Sequence, residues 1–220
     1  MVVPDYRLAP EAKFPDPAED LREALAWVLK VENKEVLGGG DPQNIYMVGH
    51  SVGAVHTSSL FLHPSLLPIS SDSPSPYAEI RQNVKGIVTF APPCHFNVSI
   101  PASPPHILTA YYGSDEDIKS KSVYGLLQNA DDEIIKAYPK SFIGWCEKEP
   151  DGVRIPASET LALLNERFGK IGIEKERVHG PVIAKQHNHI SSVWCLGSGQ
   201  GEEWADEAVQ WINKIHDGQI

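Results

Sequence analysis

The segment NIYMVGHSVGAVHTSSLFL, residues 44–62, constrains this chain more than any other. Apolar residues run into Gly49-His50-Ser51-Val52-Gly53, and a run of helical character follows. A G-x-S-x-G pattern alone is a weak signal, but here it has a strand before it and a helix after it. A serine on a tight strand-to-helix turn needs strained backbone angles and neighbours without bulky side chains, which is what the glycines supply. The helix that begins there points its first amides at any negative charge developing beside the serine. The segment therefore makes Ser51 a candidate nucleophile and the Val52 N–H a candidate oxyanion donor.

The rest of the chain alternates in the same way. Helical patterns cover residues 16–31, with Asp16 as N-cap, Pro17 at the first position and Glu19 completing a capping box. They recur at 52–62, and from a Ser158 cap to a Gly169 stop, with Leu161, Leu164 and Phe168 on one face. The last helix, about 202–216, sets Trp204, Ala208, Trp211, Ile212 and Ile215 on one face. Strand patterns stand at 44–48, read as buried, and at 84–90, 141–146 and 176–184. Residues 64–77 form a Pro/Ser-rich loop, and 91–139 read as irregular with one helix near 121–137. Such alternation implies an α/β fold: a mostly parallel sheet with helices on both faces and chemistry at the carboxyl ends of its strands. At 220 residues the chain suits one domain, with 91–139 as an insertion.

Composition excludes several functions. A formal net charge of −10 argues against a nucleic-acid partner, whose phosphates it would repel. No apolar run approaches the ~18 residues that a membrane span needs. Three cysteines, Cys94, Cys146 and Cys195, form an odd and sparse set, which suggests free thiols in a reducing, cytoplasmic setting.

A nucleophilic serine needs a base, and the base needs an orienting acid. His50 adjoins Ser51, but neighbouring side chains on a sharp turn point apart. His189 is the better base, because it lies in KQHNHISS, after the last strand and before the last helix. His187, two residues earlier, is its rival. The acid belongs after the preceding strand, where EKEPDG offers Glu147, Glu149 and Asp151. The order serine, acid, histidine is that of a nucleophile-elbow hydrolase. Two rivals are weaker. A metal site on His187-x-His189 lacks a further ligand cluster and leaves the serine turn unexplained. A Cys94-His95 thiol pair would need adjacent residues to hydrogen-bond each other.

At these residues the chain resembles the α/β-hydrolase fold, and within it the hormone-sensitive-lipase-like carboxylesterases and the neighbouring kynurenine-formamidase-type enzymes. DYRLAPEAKFPDPAEDLREALAWV (5–28) is similar to that group's Y-R-L-A-P-E stretch and the helix that follows it. GGDPQNIYMVGHSVGA (39–54) is similar to its elbow, and HNHISS to its histidine loop. The resemblance implies a serine hydrolase of small carboxylic esters, with Ser51 as nucleophile and His189 as base. Glu149 matches the acid that stands before a proline, with Asp151 as alternate. It implies no cofactor and no metal. The implied partner is a small-molecule ester, or alternatively an N-formylkynurenine-type amide, with residues 91–139 as a cap over the acyl group.

The resemblance also implies an H-G-G loop, supplying a second oxyanion donor, a few tens of residues before Y-R-L-A-P-E. Only four residues precede Asp5 here, and Gly38-Gly39-Gly40 read as a turn at a helix end. The resulting expectation is of a chain truncated at its N-terminus, with an impaired oxyanion hole, or alternatively of a catalytically inactive hydrolase relative or fragment. Its elbow strand is expected either to have an unpaired edge or to take Met1-Val2-Val3 as a neighbour.

Overall fold

The computed structural model describes residues 1–70, 72–173 and 175–220. Its strands are β1 (Ile45–His50), β2 (Val84–Phe90), β3 (Lys140–Cys146) and β4 (Val178–Ala184). Among the described residues these form one parallel sheet in the order β1-β2-β3-β4. The helices are α1 (Asp16–Leu29), α2 (Val52–Leu62), α3 (Ile80–Asn83), α4 (Pro105–Tyr112), α5 (Asp115–Lys121), α6 (Val123–Asn129), α7 (Asp132–Lys136), α8 (Asp151–Lys170), α9 (Ser191–Trp194) and α10 (Glu203–His216).

Strand alternation shows which helix covers which face. Gly49 of β1 pairs with Thr89 of β2, and a Cβ on Gly49 would meet the backbone of Ala54 in α2. Gly86 and Phe90 point the other way. A Cβ on Gly86 would meet the Trp211 ring, and Phe90 stacks on Trp204 with centroids 4.0 Å apart. Thus α10 covers one face, while α2 and α8 cover the other with α1 packed on α2. Phe61, Phe90, Phe142, Ile87 and Leu60 are sealed in the core between these layers. Burying each such side chain stabilises the fold by roughly 1.5–3 kcal/mol.

Several local expectations are corrected. Pro15, not Asp16, stands at the N-cap of α1, and no side chain caps it. The Asp16 carboxylate instead accepts from the Lys13 N–H, and Glu19 faces Arg7 and Arg22. The helix stops at Leu29 and gives way to a single 3-10 turn, Val31–Asn33. α8 begins at Asp151, well ahead of Ser158, and runs through Gly169. Pro156 lies early in it, where a missing N–H removes a single helical bond.

The segment 91–139 is largely helical, holding α4 to α7 where one helix was expected. Its helices are short, with Ser114 capping α5 and Ser122 capping α6, so no long apolar period announces them. Arg167 of α8 fastens this segment by donating to the carbonyls of Leu127 and Gln128 at 2.7 and 2.9 Å, and to that of Ala130. These are carbonyls that the end of α6 leaves without helical partners. The loop at 64–77 is irregular as read, with Ser71 outside the described residues.

β1 is not the buried strand expected. It pairs only with β2 among the described residues, and α10 lies over β2, β3 and β4, leaving Val48 66% exposed. Met1, Val2 and Val3 are exposed and form no strand.

Candidate active site

Ser51 follows β1 directly, its N–H still in the ladder to the Phe90 carbonyl at 2.9 Å. The chain then turns into α2 with Ser51 at φ 54° and ψ −124°. A non-glycine residue rarely adopts such angles, and they are held here by the packing on either side. Gly49 is part of that packing, since its missing Cβ would come within 2.7 Å of the Ala54 N and Cα atoms. Gly53 is different: a Cβ there would meet nothing within 4 Å. The steric demand attributed to both glycines therefore falls on the first alone. α2 itself is buried along its length from Ala54 to Leu62, which fixes the direction in which the turn must leave. Val52 lies at its N-terminus, where the first N–H groups lack helical acceptors.

His189 comes from the loop after β4. Asn188 shapes that loop: its side-chain oxygen accepts from the N–H groups of Ile190 and Ser191 at 3.0 and 2.9 Å, starting α9. The Trp204 indole N–H holds the Ser192 carbonyl at 3.1 Å and ties α9 to α10. Cys146 Sγ donates to the Asn188 carbonyl at 3.1 Å, and the Lys148 N–H donates to the His187 carbonyl at 2.9 Å. These bonds join the loop to the residues that follow β3. Glu149 lies there, its side chain fully buried, with Oε2 accepting from the Cys146 N–H at 3.2 Å.

The three side chains meet. His189 Nδ1 lies 2.5 Å from Glu149 Oε1, and His189 Nε2 lies 2.8 Å from Ser51 Oγ. The buried carboxylate accepts the Nδ1 proton, leaving Nε2 free to accept the serine hydroxyl. Such a relay can take the serine proton as the oxygen attacks, and return it to a leaving group.

The rivals have other partners or stand outside this chain of bonds. His187 Nδ1 is 3.1 Å from Ser191 Oγ, and its ring packs against Gly201. Asp151 is exposed and paired with Arg154 at 2.6 Å, and Glu147 accepts from the Gln186 N–H at 2.7 Å. His50 lies beside His189 with the rings tilted by 40° and their centroids 4.7 Å apart, and burial holds its pKa below the usual imidazole range. His95 bonds Glu159 at 2.7 Å, while burial pushes the Cys94 thiol up to about 12, so the two do not make a thiol pair. Gly38 and Gly39 adopt positive φ in an exposed turn, away from the cavity at Ser51.

A cavity of about 570 Å³ opens at Ser51 and His189. Val52, Val55 and Pro150 line it together with Phe96, Ile107 and Leu108 from the segment before β3. Sequence reasoning missed two other wall residues, Arg7 and His56. Arg7 lies within the Y-R-L-A-P-E stretch and His56 within an apolar helix, and neither position carries a local sign of facing a cavity.

A parallel α/β sheet whose first strand runs through a strained turn into a buried helix defines a class of fold, and comparison with known proteins agrees on that fold. A family model described as alpha/beta hydrolase fold matches residues 1–150, and the chain belongs to that family. Among its relatives is the probable isoprenylcysteine alpha-carbonyl methylesterase of Oryza sativa subsp. japonica, 37% identical over 62 residues, which is 28% of this chain and 14% of that one.

Solved structures align over nearly all of this chain. Carboxyl esterase 2 of Tuber melanosporum matches with a TM-score of 0.61 at 21% identity, covering 96% of this chain and 67% of its own. Esterase B of Lactobacillus rhamnosis matches with 0.62 at 12% identity, covering 97% and 65%. Esterase 2 of Thermogutta terrifontis matches with 0.60 at 20% identity, covering 96% and 70%. At these identities the likeness is one of fold. The chain spans about two thirds of the length of these structures and a small part of the rice relative. No helix among the described residues is long and apolar enough to cross a membrane.

Proposed function

We propose that this α/β-hydrolase cleaves small carboxylic esters through an acyl-enzyme. Ser51 attacks the acyl carbonyl as His189 takes its proton. The Val52 N–H, at the positive end of α2, stabilises the oxyanion. His189 then donates its proton to the departing alcohol. Water, activated by the same imidazole, releases the acid. Glu149 keeps the imidazole in the required tautomer and stabilises its charged form. Residues 91–139 act as the cap, contributing Phe96, Ile107 and Leu108 to the wall that holds the organic part of the substrate.

The observation that carries this reading is the chain of hydrogen bonds from Ser51 Oγ through His189 to Glu149. The esterase names of the fold's relatives support the reaction class. The test is labelling by a fluorophosphonate probe and hydrolysis of short-chain p-nitrophenyl esters, each measured with the native chain and with Ser51→Ala. Labelling at Ser51 and turnover that vanishes in the variant are expected. Turnover that survives Ser51→Ala, or a native chain that neither labels nor turns over, would sink the proposal.

A further inference from the structure

We infer that His56 sets the substrate preference of the cavity at Ser51, favouring esters with an arm that carries an uncharged hydrogen-bonding group, such as a hydroxyl or a carboxamide. The inference rests on the ester-hydrolase reading for where the scissile bond lies.

His56 is one of the few polar side chains in a wall that is mostly apolar. It lines the cavity, yet the residue is only 4% exposed. Aromatic rings crowd it, Tyr6 at 5.0 Å and Tyr111 at 6.0 Å between centroids. Its Nδ1 is sealed off without a hydrogen-bond partner. Nε2 is therefore the ring nitrogen that a ligand in the cavity can meet. Pockets that bind small molecules characteristically place a few polar groups among apolar walls to fix one end of the ligand.

The same surroundings decide what that end can be. Burial pushes the pKa of His56 down to about 4, so near neutral pH the ring carries no charge, and its Nε2 offers a ligand one hydrogen bond, as donor or acceptor according to the tautomer. The charged residues nearby are already engaged. Arg7 binds Asp20 through its backbone N–H at 2.9 Å and its Nε at 3.0 Å, with Asp16 and Glu19 also close to its guanidinium. Asp151, on the cavity's other side, is paired with Arg154. Asp20 is near enough to act electrostatically on His56. An anionic arm would find Arg7 satisfied and a carboxylate behind the imidazole. A hydroxyl or amide would gain a hydrogen bond that an alkyl chain cannot make. His56 lies five positions after Ser51, about 7.5 Å along the helix axis. An arm of medium length covers that distance.

The test compares matched esters. In the acyl pair, p-nitrophenyl 6-hydroxyhexanoate is set against p-nitrophenyl heptanoate. In the alcohol pair, 6-hydroxyhexyl butyrate is set against heptyl butyrate. The readout is the ratio of kcat/KM, hydroxylated over alkyl, within each pair. His56→Leu should lower that ratio about fivefold or more in the pair whose arm reaches the imidazole, and His56→Gln, which keeps a donor and an acceptor, should restore most of it. A smaller change in both pairs overturns the inference, as does a change that Gln fails to rescue.

A second measurement leaves His56 in place. The ring nitrogens of His56 are followed by NMR in Ser51→Ala protein titrated with the uncleaved esters. A shift with a hydroxylated ester and not with its alkyl partner supports the inference, and equal responses overturn it. Absence of any Ser51-dependent hydrolysis would instead defeat the ester-hydrolase reading, and the NMR titration would still decide the role of His56.

Discussion

The strand that delivers the candidate nucleophile and the strand that precedes the candidate acid are built in opposite ways. Among the described residues β1 has one neighbouring strand, and only Gly49 in it is buried. β3 lies between β2 and β4, and every residue from Ser141 to Cys146 is buried. Yet both place a side chain within hydrogen-bond reach of the same imidazole. Accuracy on the β1 side therefore comes from the strained turn at Ser51 and from the buried helix behind it. On the β3 side it comes from the sheet and from the bonds that join the loops after β3 and β4. The two sides should fail under different substitutions.

The largest effect is expected on the β3 side. Glu149→Gln keeps the shape and the bond from the Cys146 N–H, but it removes the charge that orients and stabilises His189. Turnover of a short-chain ester should fall by about 10³–10⁴, the loss seen when a triad carboxylate becomes an amide. The melting temperature should change little. Asp151→Asn should leave turnover within about threefold, because that carboxylate pairs with Arg154 at the surface. If the two variants exchanged these outcomes, Asp151 would be the acid and the buried pair at 2.5 Å a structural one.

This assignment also shows how far the sequence could be read. The elbow, the alternation of elements and the placing of His189 in the loop after the last strand all come from local patterns. Glu149 was one of three nearby carboxylates, and only its place before Pro150 in a familiar motif singled it out. What separates it physically from Glu147 and Asp151 is burial against the Cys146 N–H, a tertiary fact without a local signature. The helices of 91–139 escaped for the opposite reason. They are too short to show a period, and bonds such as those from Arg167 across α6 hold them in place. His56 was missed because an apolar helix gives no sign of which of its residues faces a cavity.

The second effect belongs to the β1 side and is one of stability. Gly49→Ala would force a methyl group to within 2.7 Å of the α2 backbone, which cannot yield as a flexible side chain could. A loss of about 3 kcal/mol is expected, lowering the melting temperature by roughly 6–12 °C for a chain of this size. Gly53→Ala meets open space and removes a poor helix former, so it should raise stability by up to about 1 kcal/mol. Thermal unfolding of both variants checks the contrast. Equal destabilisation would mean that the elbow constrains both glycines alike.

A third effect, of similar size, depends on pH. Burial lowers the pKa of His56 from its ordinary 6.5 to about 4 in the folded chain. Between those values the unfolded chain binds a proton that the folded chain refuses, so stability falls as the solution is acidified through that window. The contribution is fully present above pH 6.5 and gone below about 4, with a total on the order of 3 kcal/mol. Denaturant melts of native and His56→Leu protein at pH 7, 5.5 and 4 test this. The variant should show a flatter dependence across the window, and parallel curves would place the acid sensitivity elsewhere.

The smallest effect probes the open face of β1. Val48 points to the side that α10 leaves uncovered and is 66% exposed, so it contributes little buried area. Val48→Thr keeps the β-branched shape that suits a strand and adds only a hydroxyl that water can reach. Stability should stay within about 0.5 kcal/mol, and Ser51-dependent turnover should stay within about twofold, because the elbow is fixed by Gly49 and α2 and not by that face. Solubility is the property expected to change. An apolar strand with a free edge invites pairing between molecules, and a polar residue on it discourages that. The readouts are an equilibrium melt, an esterase assay and light scattering at rising concentration. A loss of stability near that of Gly49→Ala would show that something covers this face of β1 in solution, and the contrast between the two strands would then disappear.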